Sequence, residues 1–286
     1  MRTKSFIAAI GAALLLGSCD TKDPIHETDH PEKAKITVTT DWSEIGKEIT
    51  KPSEYIAAYG SEKLTADKDE YTFPNLLEEG SYTVYFYNEA TGITVAGSQA
   101  KVNTAAAPAG QSGAFVEPAP GWLFTGKLEA EVKKDTHHRF DVKMAQQVRQ
   151  LTLEIEPTGS AAGNIAGITA SLSGVAGSYD MADGTHGSPS NVALNFTEAA
   201  NGKWTATVQL LGVTGSQQKL TGTITLTGGS PADMPLESDL TAKLSSFNDN
   251  KNEPLTLGGT IVQTPTGFTA TITDWTKVDG GDVIAE

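Results

Sequence analysis

Cys19 is the only cysteine in 286 residues. It stands where the apolar run Leu14 to Leu16 gives way, through Gly17 and Ser18, to the polar Asp20. A lone thiol can neither close an intramolecular disulfide nor build a cysteine-rich zinc site; as a thiolate it is a nucleophile that can form a thioether. Other residues invite weaker readings. His26 and His30 are four apart among carboxylates, a spacing that grips a metal ion on a helix, but Pro24 and Pro31 argue for a solvated linker instead. His137 and His138, in the charged stretch KKDTHHRF, read as exposed boundary residues rather than ligands. With 35 acidic residues some pair always stands at a glycosidase spacing by chance, and no Gly-x-Ser-x-Gly elbow presents a serine. The glycine-rich GSAAGNIAG and GVAGS lie between strand patterns with no helix terminus behind them, so they are turns and not phosphate cradles. No enzyme activity, metal or cofactor is expected.

The elements around Cys19 say what its thiol is for. Arg2 and Lys4 make a positive start, and Phe6 to Leu16 is an apolar run too short for a permanent membrane span. With Leu16, Gly17 and Ser18 leading into Cys19, the segment resembles a bacterial lipobox. That resemblance implies a signal peptide over residues 1–18, cleavage between Ser18 and Cys19, and a diacylglyceryl group on the Cys19 thiol with acylation of the new amino group. One chain at about 0.8 kcal/mol per buried CH₂ binds a membrane only marginally, whereas two or three anchor a protein stably. Residues 19–34 follow as an acidic tether in which Asp20, Asp23, Glu27 and Asp29 surround the prolines and almost nothing is apolar. The acidic run is similar to the signal that directs Bacteroidetes lipoproteins to the outer face of the outer membrane.

A net charge of −14 with no compensating basic cluster repels a phosphate backbone, which excludes nucleic acid as a partner. Twenty-nine glycines and 13 prolines punctuate the chain too often for helices. From Lys35 onward the apolar period is two. KITVTTDW places Ile36, Val38, Thr40 and Trp42 on one face, and SYTVYFYN is aromatic on both faces, as a central strand is. GITVAGSQAKV is expected to pair with SYTVYFYN as a hairpin, and residues 103–122 to form a long surface loop. Beyond KKDTHHRF, KMAQQVRQL reads as strand edge and further strand-length runs follow, a sandwich-like count. The expected organisation is all-β, with an N-terminal domain over 35–136 and a C-terminal domain over 137–286. Trp42 and Trp275 are expected to be buried at strand ends in separate domains. Trp122, Trp204 and Tyr179 could stack on sugars, but in such folds aromatic rings belong more often to the core.

The lipobox, the tether, the strand ending in Asp41-Trp42, LLEEGSYTVYFYNE, KMAQQVRQLTLEI leading to SLSGVAGSYDM, and the closing ITDWTKVDGG together resemble the fimbrillin superfamily of Bacteroidales type V pili, and within it the FimB-type anchor lipoproteins. The resemblance implies two tandem transthyretin-like, Greek-key β-sandwich domains, a place at the base of a surface fibre, and a pilus stalk subunit and outer-membrane lipid as partners. Related stalk precursors are clipped after their first strand, which opens a groove for a neighbour's strand. An anchor cut there would lose its lipid, and no arginine lies between Arg2 and Arg139 for an arginine-specific protease. The expected working form therefore keeps residues 19–286, with its first strand in place. Its C-terminal stretch Val283, Ile284, Ala285 and Glu286, beyond the Gly280-Gly281 hinge, is the candidate donor strand. The alternatives are a stalk or tip adhesin subunit, and a surface lipoprotein that binds glycan or protein.

Overall fold

A computed structural model describes residues 30–158, 163–228, 233–262, 270–272 and 274–278. Cys19, Ser18, His26 and residues Val283–Glu286 lie outside these. The described residues contain no α-helix. Strands are numbered along the chain and gather in four sheets that enclose two hydrophobic clusters.

The smaller cluster lies between two sheets. In one, β1 (Lys33–Asp41) is flanked by β12 (His137–Lys143) on one side and by β4 (Glu70–Thr72) and β5 (Leu77–Glu78) on the other. The second sheet runs β13 (Ala145–Gln146), β11 (Phe124–Val132), β6 (Gly80–Tyr87), β2 (Tyr55–Tyr59), β3 (Glu62–Ala66). Ile36, Val38 and Val142 from the first, with Phe73 just after β4, meet Tyr55, Leu64, Val84, Phe86 and Phe124 from the second. The alternation read over Ile36, Val38 and Thr40 holds, and β6 is central, paired with β2 and β11.

The larger cluster lies between a nine-stranded and a five-stranded sheet. The first is ordered β22 (Ala270–Thr271), β20 (Asp233–Asp239), β19 (Lys219–Leu226), β15 (Ile165–Asp180), β16 (Thr185–Asn195), β10 (Phe115–Val116), β9 (Thr104–Ala105). A hairpin of β7 (Ile93–Ala96) and β8 (Gln99–Val102) joins it through β8 and β15. The other sheet runs β17 (Thr197–Glu198), β18 (Trp204–Leu210), β14 (Arg149–Thr158), β21 (Leu255–Val262), β23 (Thr276–Lys277). KMAQQVRQL contains β13 and the start of β14, extended as expected.

Three expectations change. SYTVYFYN and GITVAGSQAKV do not pair, because both edges of β6 are taken by β2 and β11, and β7 folds back on β8 instead. Gly97, at φ +59°, opens the two-residue turn between β7 and β8, a conformation that favours glycine at that place. The stretch 103–122 is not wholly a surface loop, since Phe115 and Val116 are buried and β10 runs parallel to β16. Trp42 is only half-buried, edge-on to Phe124 at 5.7 Å, because β1 has ended and the ring sits at the rim of the smaller cluster. Trp275 is 2% exposed in the larger cluster, just before β23 rather than at the end of a strand.

The clusters do not divide the chain at one point. The turn at 133–136, where a boundary was expected, joins β11 to β12, and both strands contribute side chains to the smaller cluster. Residues 88–123 carry β7 to β10, which place Ala100, Val102 and Val116 in the larger cluster. The crossing is made by strand alternation: Phe86 and Phe124 point into the smaller cluster while their neighbours Tyr87 and Leu123 point into the larger. Ile56, Ala58 and Tyr85 on the outer face of β2 and β6 also pack against the larger cluster. This explains why β6 is aromatic on both faces.

Candidate functional site

Two places stand out: a buried strand held between partners far along the chain, and a cluster of buried polar side chains. The first is the slot of β1. Seven consecutive residues, Lys35 to Asp41, pair in parallel with His137 to Lys143, while Thr37 to Thr39 pair antiparallel with β4. Parallel neighbours cannot be joined by a tight turn, so a strand about 100 residues from its partner fills this slot. Ala34, Ile36 and Val38 are buried there, and Thr37 Oγ1 lies 2.8 Å from both Thr72 Oγ1 and His137 Nε2. His137 is thus half-buried against β1 rather than an exposed boundary residue. His138 stacks on Phe140 at 5.7 Å and bonds the Lys133 backbone.

The second is a polar junction between the clusters, centred on Lys251. Its ammonium donates to Gln147 Oε1 at 2.5 Å, lies 3.4 Å from His186 Nε2 and stands 4.8 Å over the Tyr179 ring. Tyr179 and His186 face each other across β15 and β16 with ring centroids 5.1 Å apart. Gln146 accepts from Gly46 N–H and donates to the carbonyls of Val148 and Lys251. Arg149 donates to the carbonyls of Glu253 and Phe247 at 2.6 and 2.7 Å. These side chains fasten the segment between β20 and β21 to the loop after β1, and buried amides satisfied on all sides hold such a junction in one geometry. Gly212 makes room for it: at φ +154°, a Cβ there would come within 2.4 Å of the His186 ring.

Burial sets the charge state of the junction. It pushes the Lys251 ammonium down to about 8. Burial, then the charge of Lys251, lowers His186 from 6.5 to about 4. Between pH 6.5 and 4 the unfolded chain binds a proton at His186 that the folded chain refuses, so stability falls as pH drops through that window. With a discount for partial exposure the loss is about 2 kcal/mol. His186→Gln should flatten this part of the dependence of the denaturation midpoint on pH; an unchanged slope between pH 4 and 6.5 would refute the assignment.

The sequence-predicted aromatic residues do not converge. Trp204 is buried in the larger cluster, Tyr179 lies beneath Lys251, and Trp122 is half-buried at the seam, its carbonyl accepting from Asn88 Nδ2 at 2.9 Å. Among the described residues no group of three His, Cys, Asp or Glu side chains is placed to hold a metal ion. The Lys251 junction was not legible in the sequence. Its residues come from β13 to β16 and the segment before β21, and the only local sign was a lysine set among polar residues in NDNKNE.

A sequence model of the fimbrillin-A associated anchor proteins Mfa1 and Mfa2 matches residues 49–280. No curated protein sequence matches the chain. Among solved structures, a candidate adhesin from Bacteroides ovatus is similar over 87% of this chain and 94% of its own, with a TM-score of 0.59 and 15% identity. A second from Bacteroides ovatus gives a TM-score of 0.61 at 10% identity, over 87% and 93% of the two chains. The fimbrial anchor protein Mfa2 from Porphyromonas gingivalis is similar over 86% of this chain and 97% of its own, with a TM-score of 0.55 and 13% identity. At these identities the structures speak to the fold alone.

Proposed function

The chain belongs to the family of fimbrillin-A associated anchor proteins, a family of fimbrial components and not of enzymes; from that premise we propose that it is the lipid-anchored base of a surface fibre. In this reading residues 1–18 are removed as a signal peptide, Cys19 carries the lipid, and the acidic segment up to β1 spaces the folded body from the outer membrane. The body then holds a stalk subunit through strand exchange or strand addition, with Val283 to Glu286 as the candidate donor strand.

The observation that carries this reading is the position of β1. The first strand after the tether is the middle strand of its sheet, bonded on both sides and buried through Ala34, Ile36 and Val38. A pull from the lipid would reach the chain at the start of β1, and freeing that strand would break its seven-residue pairing with β12 together with its pairings to β4 and β5. A subunit that keeps its lipid keeps this strand in place. One clipped after β1 would instead expose a groove open to a donated strand.

Intact-mass measurement on protein extracted from membranes tests the reading. The expected species begins at acylated Cys19 and ends at Glu286. A fibre-borne fragment that begins after Trp42 would make the chain a stalk or tip subunit.

A further inference from the structure

Beside any strand this chain donates, a strand that it receives while β1 stays in its slot must add to a free sheet edge. Among the described residues, the edge strands of three residues or more are β3, β4, β7 and β12. Charged side chains on an edge strand keep stray strands away. β3 carries Glu62 and Lys63, β4 carries Glu70, and β12 carries Arg139, Asp141 and Lys143. β7, Ile93 to Ala96, has no charge and no proline, and its register with β8 is unbroken. Along the chain its neighbourhood is also sparse in charge: between Glu89 and Glu117 the single charged residue is Lys101, and the one carboxylate beside the strand's start is Glu117, next to Gly92.

The backbone of β7 also suits strand addition. The turn at Gly97-Ser98 closes on the pair Ala96 and Gln99, and at the other end Asn103 N–H donates to Gly92 C=O at 2.8 Å. Antiparallel alternation then turns the backbone groups of Gly92, Thr94 and Ala96 toward β8 and those of Ile93 and Val95 outward. Ile93 N–H is taken by Ala90 C=O at 3.1 Å. This leaves the Ile93 carbonyl and both backbone groups of Val95 on the open side. Ile93 and Val95 side chains pack half-buried against the larger cluster while Thr94 and Ala96 are exposed. An added strand would therefore extend the core-facing side with its own apolar residues.

We propose that β7 is the docking edge for the stalk subunit, and that the occupant is an extended, uncharged strand of that subunit with alternating apolar residues. An uncharged strand loses no ion pairing when it is laid along this neutral edge, whereas a charged one would be desolvated without a partner. The proposal rests on the anchor reading, and its test separates the two. In fibre-bearing cells, the gene is deleted or replaced by the double variant Thr94→Lys/Ala96→Lys, which places two ammonium groups on exposed positions of the edge; fibres retained on cells and fibres shed are then measured. Fibres shed in both strains, with the variant present in the membrane at the normal level, support the proposal. Fibres shed on deletion but retained by the variant overturn the β7 edge and leave the anchor reading standing. Retention unaffected by deletion overturns the anchor reading itself. Should the variant fail to accumulate, hydrogen exchange on the unaltered protein decides. Addition of fibres sheared from the deletion strain is expected to slow exchange of the Val95 amide about tenfold or more; unchanged exchange at Val95 overturns the proposal.

Discussion

Trp275→Ala is expected to destabilise the protein by about 3–5 kcal/mol, the range for a buried Trp cut back to Ala, enough to unfold a domain at the low end of ordinary stability. The ring is buried and lies against Gly259, where a Cβ would come within 3.0 Å of it. Its indole N–H donates to Ser238 Oγ at 2.8 Å, and that hydroxyl donates in turn to the Ile272 carbonyl. One side chain thus closes the larger cluster and joins β20 to the chain before β23. Trp275→Phe keeps most of the bulk and loses the hydrogen bond, so it should cost only about 1–2 kcal/mol. Trp42→Ala, at the rim with the Lys51 ammonium 5.3 Å from its ring, should also fall well short of Trp275→Ala. Denaturant titration checks the order. Equal midpoints for Trp275→Ala and the unaltered protein would show that the C-terminal segment does not close the core.

The largest functional effect is expected from Cys19→Ala. Without the thiol no thioether forms, so the protein should leave the membrane fraction or persist with its signal peptide uncleaved, and fibres should be lost from the cell surface. The loss should be close to complete, since neither the acidic tether nor the acidic body offers a membrane surface another hold. The β-sheets should be unaffected, because Cys19 lies eleven residues before His30, the first described residue. Circular dichroism and denaturation midpoint separate these effects: a destabilised Cys19→Ala protein would point to a structural role for Cys19. Retention of cleaved Cys19→Ala protein in the membrane would refute lipidation as the anchor.

Local chemistry was legible in the residues. Alternation in Ile36, Val38 and Thr40, the aromatic faces of Tyr82 to Tyr87, and the density of glycine and proline identify an all-β chain, because side-chain period and turn chemistry act within a few residues. The absence of a nucleophile elbow or helix-backed glycine loop pointed away from catalysis on the same local grounds. Pairing was decided elsewhere. Whether β7 joined β6 or β8, and that β1 would lie beside β12 about 100 residues away, depended on which edges were already occupied, and edge occupancy is a property of the whole sheet. The polar junction likewise exists only because the segments holding Lys251, His186, Tyr179 and Gln147 are brought together, and burial then lowers the pKa of Lys251 to about 8 and of His186 to about 4, below the value of either residue type in water. The sequence by itself determined the all-β class, the acidic composition and the position of the one cysteine. Only the tertiary structure decided that β1 sits mid-sheet and that β7 is left bare, since both follow from long-range competition among strands for the same backbone hydrogen bonds.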